Sequence, residues 1–395
     1  MDYYLPDSRD IVDLTYDFDT DQRKPDRQTR DDLYCHEVLP RSYDGMLISY
    51  AAVAKGRYSA TARRRLFREG VRSFFRAPKW CSFMGDCGAF SYIKEPAPIY
   101  TAAEVVEFYT QLGVDYGLAL DHIVPGYSDE DGPPEPEAQR RYELTLSLAK
   151  DFLTTARGGS FVPVGVVQGW SAASYAKATR RLQTMGYRYL ALGGLVRLKQ
   201  RQLLDVVRAV ADVRRNDTRL HLLGVARPGY TVEYATCGVT SFDSTSPLRK
   251  AWMDRRKNYL LDDQWYAALR IPSSNSPKVA KRIMAGEIDG DKLRTFEQAA
   301  LSAVALYSQG TAKLDPTLET LMLYSELHSP GDVRRDDYQR TLAAKPWQRC
   351  GCSICKKLGH HTIIFRGAER NRLRGFHNVG QFYACVRSEL QEVAA

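Results

Sequence analysis

Seven short apolar, β-branched runs recur along the chain, each ending in a polar or glycine signature. They are 46–53 (MLISYAAV), 79–86 (KWCSFMGD), 116–122 (YGLALDH), 161–169 (FVPVGVVQG), 187–194 (YRYLALGG), 220–227 (LHLLGVAR) and 238–244 (GVTSFDS). Runs that stay apolar instead of alternating predict strands buried on both faces. Most are separated by helical patterns. Residues 101–112 place Val105, Phe108, Tyr109 and Leu112 on one face behind a Thr101-x-x-Glu104 capping box, and 200–213 repeat the stripe with Leu203, Val207 and Val210. Strand followed by helix, repeated, predicts a parallel sheet, and polar residues at several strand ends predict one shared mouth. The expected class is therefore α/β, a (β/α)8 TIM barrel. Its eighth strand is expected within the helical, charged region 250–345.

Composition bounds this picture. At 395 residues, with 44% hydrophobic residues and 8 Cys, the chain is neither a disordered tail, a disulfide-knit miniprotein nor a collagen-like fibre. The start MDYYLPDSRD has no basic n-region or apolar h-region, and no apolar run reaches about 18 residues. A soluble cytoplasmic protein without a membrane partner is expected, in which clustered cysteines read as metal ligands.

The net charge of +9 is unevenly spread. The first 32 residues carry ten Asp against five Lys/Arg, whereas 55–79 carry nine Lys/Arg against the single Glu69. Arg63, Arg64, Arg65 and Arg68 in that basic run are interleaved with aromatics, and Arg249 and Lys250 start a weaker patch, a composition suited to a polyanion. A solvated amphipathic helix is the plain alternative. The acidic, proline-rich stretch 128–137 reads as an exposed spacer more readily than as a gating loop. The domains expected are an N-terminal acidic segment (1–45), the barrel (46–345) with a helical insertion near 250–345, and a zinc-binding subdomain with a C-terminal helix (346–395).

Cys350, Cys352 and Cys355 place three thiolates within six residues, with Gly351 allowing a tight turn. Soft thiolates and a tetrahedral demand suit zinc. The fourth ligand is His360, His361 or His377; His377, in what reads as a helix start, is preferred because a distant ligand staples two segments. Four protein ligands leave no position for water, so the expected role is structural. Cys35, Cys81, Cys237 and Cys385 read as packing residues.

Three aspartates stand at expected strand ends: Asp86, Asp121 and Asp243. Any one alone reads as a helix cap, but three carboxylates converging on one cleft need separated roles. A divalent-metal site, a glycosidase-like pair and recognition of a heterocycle's donors are all open on this basis.

The motifs resemble those of the zinc-containing tRNA-guanine transglycosylases. Asp86-Cys87-Gly88-Ala89-Phe90, LALDH with Asp121, VVQG with Gln168, LALGGL with Gly193 and Gly194, LLGVARP, Phe242-Asp243-Ser244-Thr245-Ser246-Pro247-Leu248-Arg249, and CGCSIC followed by Phe376-His377-Asn378 occur in that family's order. The resemblance implies a barrel enzyme that exchanges guanine in a nucleic acid for a 7-deazaguanine. Asp243 would be the nucleophile, giving a covalent glycosyl-enzyme, and Asp86 the general acid/base. Cys87, Asp121, Gln168, Gly193 and Gly194 would bind the base. The target nucleotide would leave its helix to reach them. Departures from the family pattern, including Cys87, Ala89, Ser91, Ser244 and Leu248, together with the basic segment 55–79, make the chain more similar to DNA-modifying relatives that insert 7-cyano-7-deazaguanine into DNA. A tRNA enzyme is the alternative, with a homodimer or accessory DNA-modification proteins as further partners. A noncatalytic nucleic-acid-binding paralogue fits less well, since both Asp86 and Asp243 are present.

Overall fold

The computed structural model describes every residue except Asp131, Pro133, Ala226, Val333 and Ala395, and the side chains of Val393 and Ala394. The chain divides into two compact units, 1–9 with 43–245 and 386–395, and 10–42 with 246–385.

The first unit holds a closed barrel of eight parallel strands in sequence order. They are β1 (Asp2–Pro6), β2 (Gly45–Ser49), β3 (Ser82–Asp86), β4 (Tyr116–Leu118), β5 (Val162–Val167), β6 (Tyr189–Leu192), β7 (Arg219–Leu222) and β8 (Val239–Asp243). Each of the seven apolar runs overlaps a strand, β2 and β7 each starting one residue before theirs. The eighth strand corrects the expectation: it is β1, drawn from the acidic N-terminal stretch and not from 250–345. Asp2 and Asp7 disguise it, yet Tyr3, Tyr4 and Leu5 between them are buried. β1 pairs Tyr4 with Gly45 on one side and with Asp243 on the other, which closes the barrel. Tyr4, Leu47, Met84, Leu118, Val164, Val166, Tyr189 and Ala191 pack as one of its apolar clusters.

The helices between strands follow their sequence signals. Ala102–Leu112 starts on the Thr101/Glu104 capping box and buries Val105, Phe108, Tyr109 and Leu112. Gln200–Ala211 buries Leu203, Val207 and Val210. The basic run forms a helix over Ala60–Phe74, kinked at Gly70, with Leu66, Val71 and Phe74 on its buried side.

The second unit explains the acidic N-terminal stretch. Asp13 and Asp32 pair with Arg27, Asp21 pairs with Arg366 and Arg370, and Arg23 pairs with Glu369. Buried Arg366 and Arg370 thus find a carboxylate in 10–42, as buried charges require, while buried Arg374 donates to the Ile364 and Ala251 carbonyls. Helices Pro277–Met284, Gly290–Gln309, Leu314–His328 and Arg335–Ala344 belong to this unit, around a core that includes Tyr259, Leu269, Val304, Leu321, Tyr324 and Trp347. His377 lies inside the helix Ala368–Ala394 instead of at a helix start; the helix begins nine residues earlier, directly after Gly367 at φ +62. No helix among the described residues is long and apolar enough to cross a membrane.

Candidate active site

Parallel strands deliver their C-terminal ends to one mouth. Asp86 is the last residue of β3 and Asp243 the last of β8, while Asp121 follows three residues after β4. Burial is the main cause that pushes the Asp86 carboxyl up to about 7; the Gly88 amide and Ser49 hydroxyl act against it, and the Asp121 and Asp243 charges reinforce it. Burial also raises Asp121 to about 6, opposed by hydrogen bonds from Gln168 and Cys87. Asp86 is thus the carboxyl that feels both of the others.

Asp121 is held from both sides. Gln168 Nε2 donates to Asp121 Oδ2 at 2.7 Å, and the Cys87 thiol donates to Oδ1 at 3.5 Å. Burial and the neighbouring carboxylates hold Cys87 far above the ordinary thiol range, so it stays a donor. Gly193 exists for close approach: a Cβ there would sit 2.4 Å from Gln168 Nε2. Beside it, the Tyr175 hydroxyl donates to the Gly193 carbonyl at 2.7 Å.

Asp243 has a different environment. Gly224, at φ +71, turns its amide to donate to Asp243 Oδ1 at 2.8 Å, and His221 Nε2 lies 3.2 Å from the same oxygen. The LLGVARP motif that carries Gly224 includes Ala226, which lies outside the described residues. The sequence marks neither His221, Ser241 and Tyr189 nor Tyr92, whose hydroxyl lies 3.1 Å from Cys87 Sγ and donates to the Asp121 carbonyl at 3.1 Å. Only their position two residues inside strand-end motifs, or beside one, distinguishes them from ordinary core polar residues. Phe90, the last residue of the Asp86–Phe90 motif, is 64% exposed just beyond β3.

The basic residues differ in availability. Arg63 and Arg64 are exposed and make no ion pair among the described residues. Arg68 pairs with Glu69 at 2.9 Å, and Arg65 bonds Glu69, the Phe74 carbonyl and the Phe74 ring, which holds the helix instead of leaving that cation free. Arg249 is exposed and Lys250 lies over the Trp265 ring at 4.2 Å, both in the second unit. In the stretch 128–137, Asp129 takes bonds from Arg201 and Gln202, at 2.9 and 3.2 Å; Asp131 and Pro133 of that stretch lie outside the described residues.

In the second unit, Cys350, Cys352, Cys355 and His377 bring four ligand atoms within 4.8 Å of one another. The three sulfurs lie 3.7, 3.5 and 3.4 Å from His377 Nδ1. Tetrahedral zinc with ordinary Zn–S and Zn–N bonds requires an S···N edge of about 3.6 Å, so the donor set fits that ion. His377 Nε2 donates to the Leu260 carbonyl at 2.7 Å, which turns Nδ1 to the sulfurs. The Tyr259 ring stacks on His377 and its hydroxyl lies 3.1 Å from Cys355 Sγ. His360 and His361 belong elsewhere: His361 faces Asp19 at 3.3 Å.

A closed barrel with carboxylates at its mouth, in a chain that also carries a Cys3His cluster, is an architecture that suits a base-exchanging glycosyl-transfer enzyme. The family profile described as "Queuine tRNA-ribosyltransferase" matches residues 90–388, and the chain belongs to that family. It is 41% identical over 398 residues to a "DNA-guanine transglycosylase" of Salmonella montevideo, covering 97% of this chain and 96% of the relative. It is also 31% identical over 176 residues to a "tRNA-guanine(15) transglycosylase" of Pyrococcus furiosus, and 30% over 181 residues to that of Thermococcus onnurineus. Those matches take in 43% of this chain and only 28% and 29% of the archaeal proteins.

Proposed function

We propose that the protein exchanges guanine in DNA for a 7-deazaguanine base, with 7-cyano-7-deazaguanine as the entering base. The observation that carries the polymer assignment is the end-to-end likeness to a DNA-guanine transglycosylase, against a partial likeness to the tRNA enzymes. The tRNA reading remains the second one, favoured by the archaeal matches.

Asp243 attacks C1′ of a flipped-out deoxyguanosine through its carboxylate, forming an ester-like C1′–O bond as the C1′–N9 bond breaks. The electron pair goes to N9 and the base takes a proton from Asp86, whose raised carboxyl is suited to hold one near neutrality. The entering base then gives a proton to Asp86, attacks C1′ and releases Asp243. Asp121, fixed by Gln168 and Cys87, accepts from the base's N–H edge, with Gly193 and Gly194 lining the same place. Exposed Phe90 offers a face for stacking on a planar heterocycle.

Arg63 and Arg64 contact the backbone phosphates, with Arg65, Arg68, Arg249 and Lys250 as lesser contributors. The Cys3His cluster holds a structural zinc, which contributes folding energy and has no open position. The test is transfer of labelled base into DNA by purified protein, with Asp243→Asn as the blank.

A further inference from the structure

His221 sits on β7, wholly buried, one strand away from the nucleophile proposed above. Its Nδ1 is 2.7 Å from Ser241 Oγ, and that oxygen is 2.5 Å from the Tyr189 hydroxyl. Its Nε2 is 3.2 Å from Asp243 Oδ1. One assignment of protons satisfies every group in this row. Tyr189 O–H donates to Ser241 Oγ, Ser241 O–H donates to His221 Nδ1, and His221 Nε2–H donates to Asp243 Oδ1. The register supports it, since His221 pairs with Ser241 across β7 and β8. Arg219, 4.4 Å over the Tyr189 ring, fixes the far end of the row, and the Tyr4 ring meets His221 edge-on at 5.8 Å.

We propose that His221 is a positioning residue for Asp243, held as the Nε2–H tautomer by Ser241 and Tyr189, and that it sets the balance between free carboxylate and covalent glycosyl-enzyme. The inference rests on the nucleophilic reading of Asp243. Two donors, His221 and the Gly224 amide, converge on Oδ1. That leaves Oδ2 to form the bond to C1′ while the C1′–N9 pair departs to N9 with the proton from Asp86. A hydrogen bond to a charged oxygen is stronger than one to an ester carbonyl. The donors therefore stabilise Asp243 more when it is free than when it is esterified. They restrain its attack and favour its release when the entering base takes over C1′. Because the exchange runs forward and back through the same kind of step, this balance decides how long the sugar stays on the enzyme.

The test compares wild type with H221F, H221Q and S241A. Each is mixed with guanine-containing duplex DNA, quenched under denaturing conditions to count protein–DNA adduct, and chased with 7-cyano-7-deazaguanine. A parallel melting curve reports folding. H221F is expected to raise the adduct fraction and slow the chase about tenfold, the scale of one lost charge-assisted hydrogen bond. H221Q, whose amide N–H stands where Nε2–H stood, returns both towards wild type. S241A, which leaves the tautomer unguided, shifts both in the H221F direction by less and serves if H221F fails to fold. A purely structural His221 would lower total activity with an unchanged adduct fraction and chase rate, or would leave H221Q as impaired as H221F; either result overturns the inference. No adduct in wild type, with exchange intact, overturns the nucleophilic reading itself.

Discussion

Gln168 donates to Asp121 at 2.7 Å, from the residue after β5 to the segment after β4, and Gly193 leaves the space that lets it. A carboxylate oriented before any base arrives loses no freedom on binding, which favours affinity for the right donor pattern. A Cβ at position 193 would stand 2.4 Å from Gln168 Nε2 and push the amide off Asp121. Gly193→Ala is therefore expected to raise the KM for the entering base about tenfold or more while leaving the melting temperature within a few degrees. Steady-state kinetics against base concentration checks this.

Asp86 gives a pH prediction with two signs. Its folded value of about 7 lies above the ordinary 3.8, so the folded protein holds this proton more tightly than the unfolded chain does. Its contribution to stability is present below the unfolded value and is lost as pH rises towards about 7. Asp86→Asn removes that loss, and should melt higher than wild type at pH 8 but not at pH 4. Exchange by wild type should fall above about pH 7 as the proton leaves, and the variant should lack exchange throughout. Melting curves and a pH–rate profile read the two effects separately.

Arg63 and Arg64 are exposed and have no carboxylate partner among the described residues, so removing them should cost little to folding and tell on a polyanion if one binds there. The double Arg63→Ala, Arg64→Ala variant is expected to keep its melting temperature and to bind DNA more weakly. The slope of log affinity against log salt should drop by about 2, one for each released phosphate contact. Binding titrations at several salt concentrations measure it.

The Cys3His cluster predicts a stability phenotype. Cys352→Ala should lose the metal and much of its resistance to heat, since a closed site contributes folding energy. Tyr259→Phe keeps the ring stacked on His377 but removes the hydroxyl 3.1 Å from Cys355 Sγ. Metal affinity should fall about tenfold to a hundredfold in that variant, as for other groups that support a ligand. Chelator competition with elemental analysis distinguishes the two. A folded, metal-free and active Cys352→Ala protein would go against a structural role.

What was legible in the sequence follows from which signals are local. Strands β2 to β8 are continuous apolar runs ending in polar residues, and the Cys-x-Cys-x-x-Cys spacing confines three ligands to one turn. β1 was hidden because its tyrosines sit between Asp2 and Asp7 in a stretch whose composition is acidic. Much of that acidity serves Arg27, Arg366 and Arg370 of the second unit, a long-range pairing that no local window carries. His221 was hidden for the opposite reason. It reads as one polar residue in an apolar strand, and only the parallel pairing of β7 with β8 brings Ser241 and Asp243 to its two nitrogens.

The central claim is base exchange on DNA through Asp243. Labelled 7-cyano-7-deazaguanine, offered in parallel with duplex DNA, single-stranded DNA and tRNA, tests it most directly when Asp243→Asn serves as the blank. The account predicts label in DNA from wild type, none from Asp243→Asn, and equal fold and metal content in both. Label entering tRNA alone would contradict the polymer assignment, and full exchange by Asp243→Asn would contradict the mechanism.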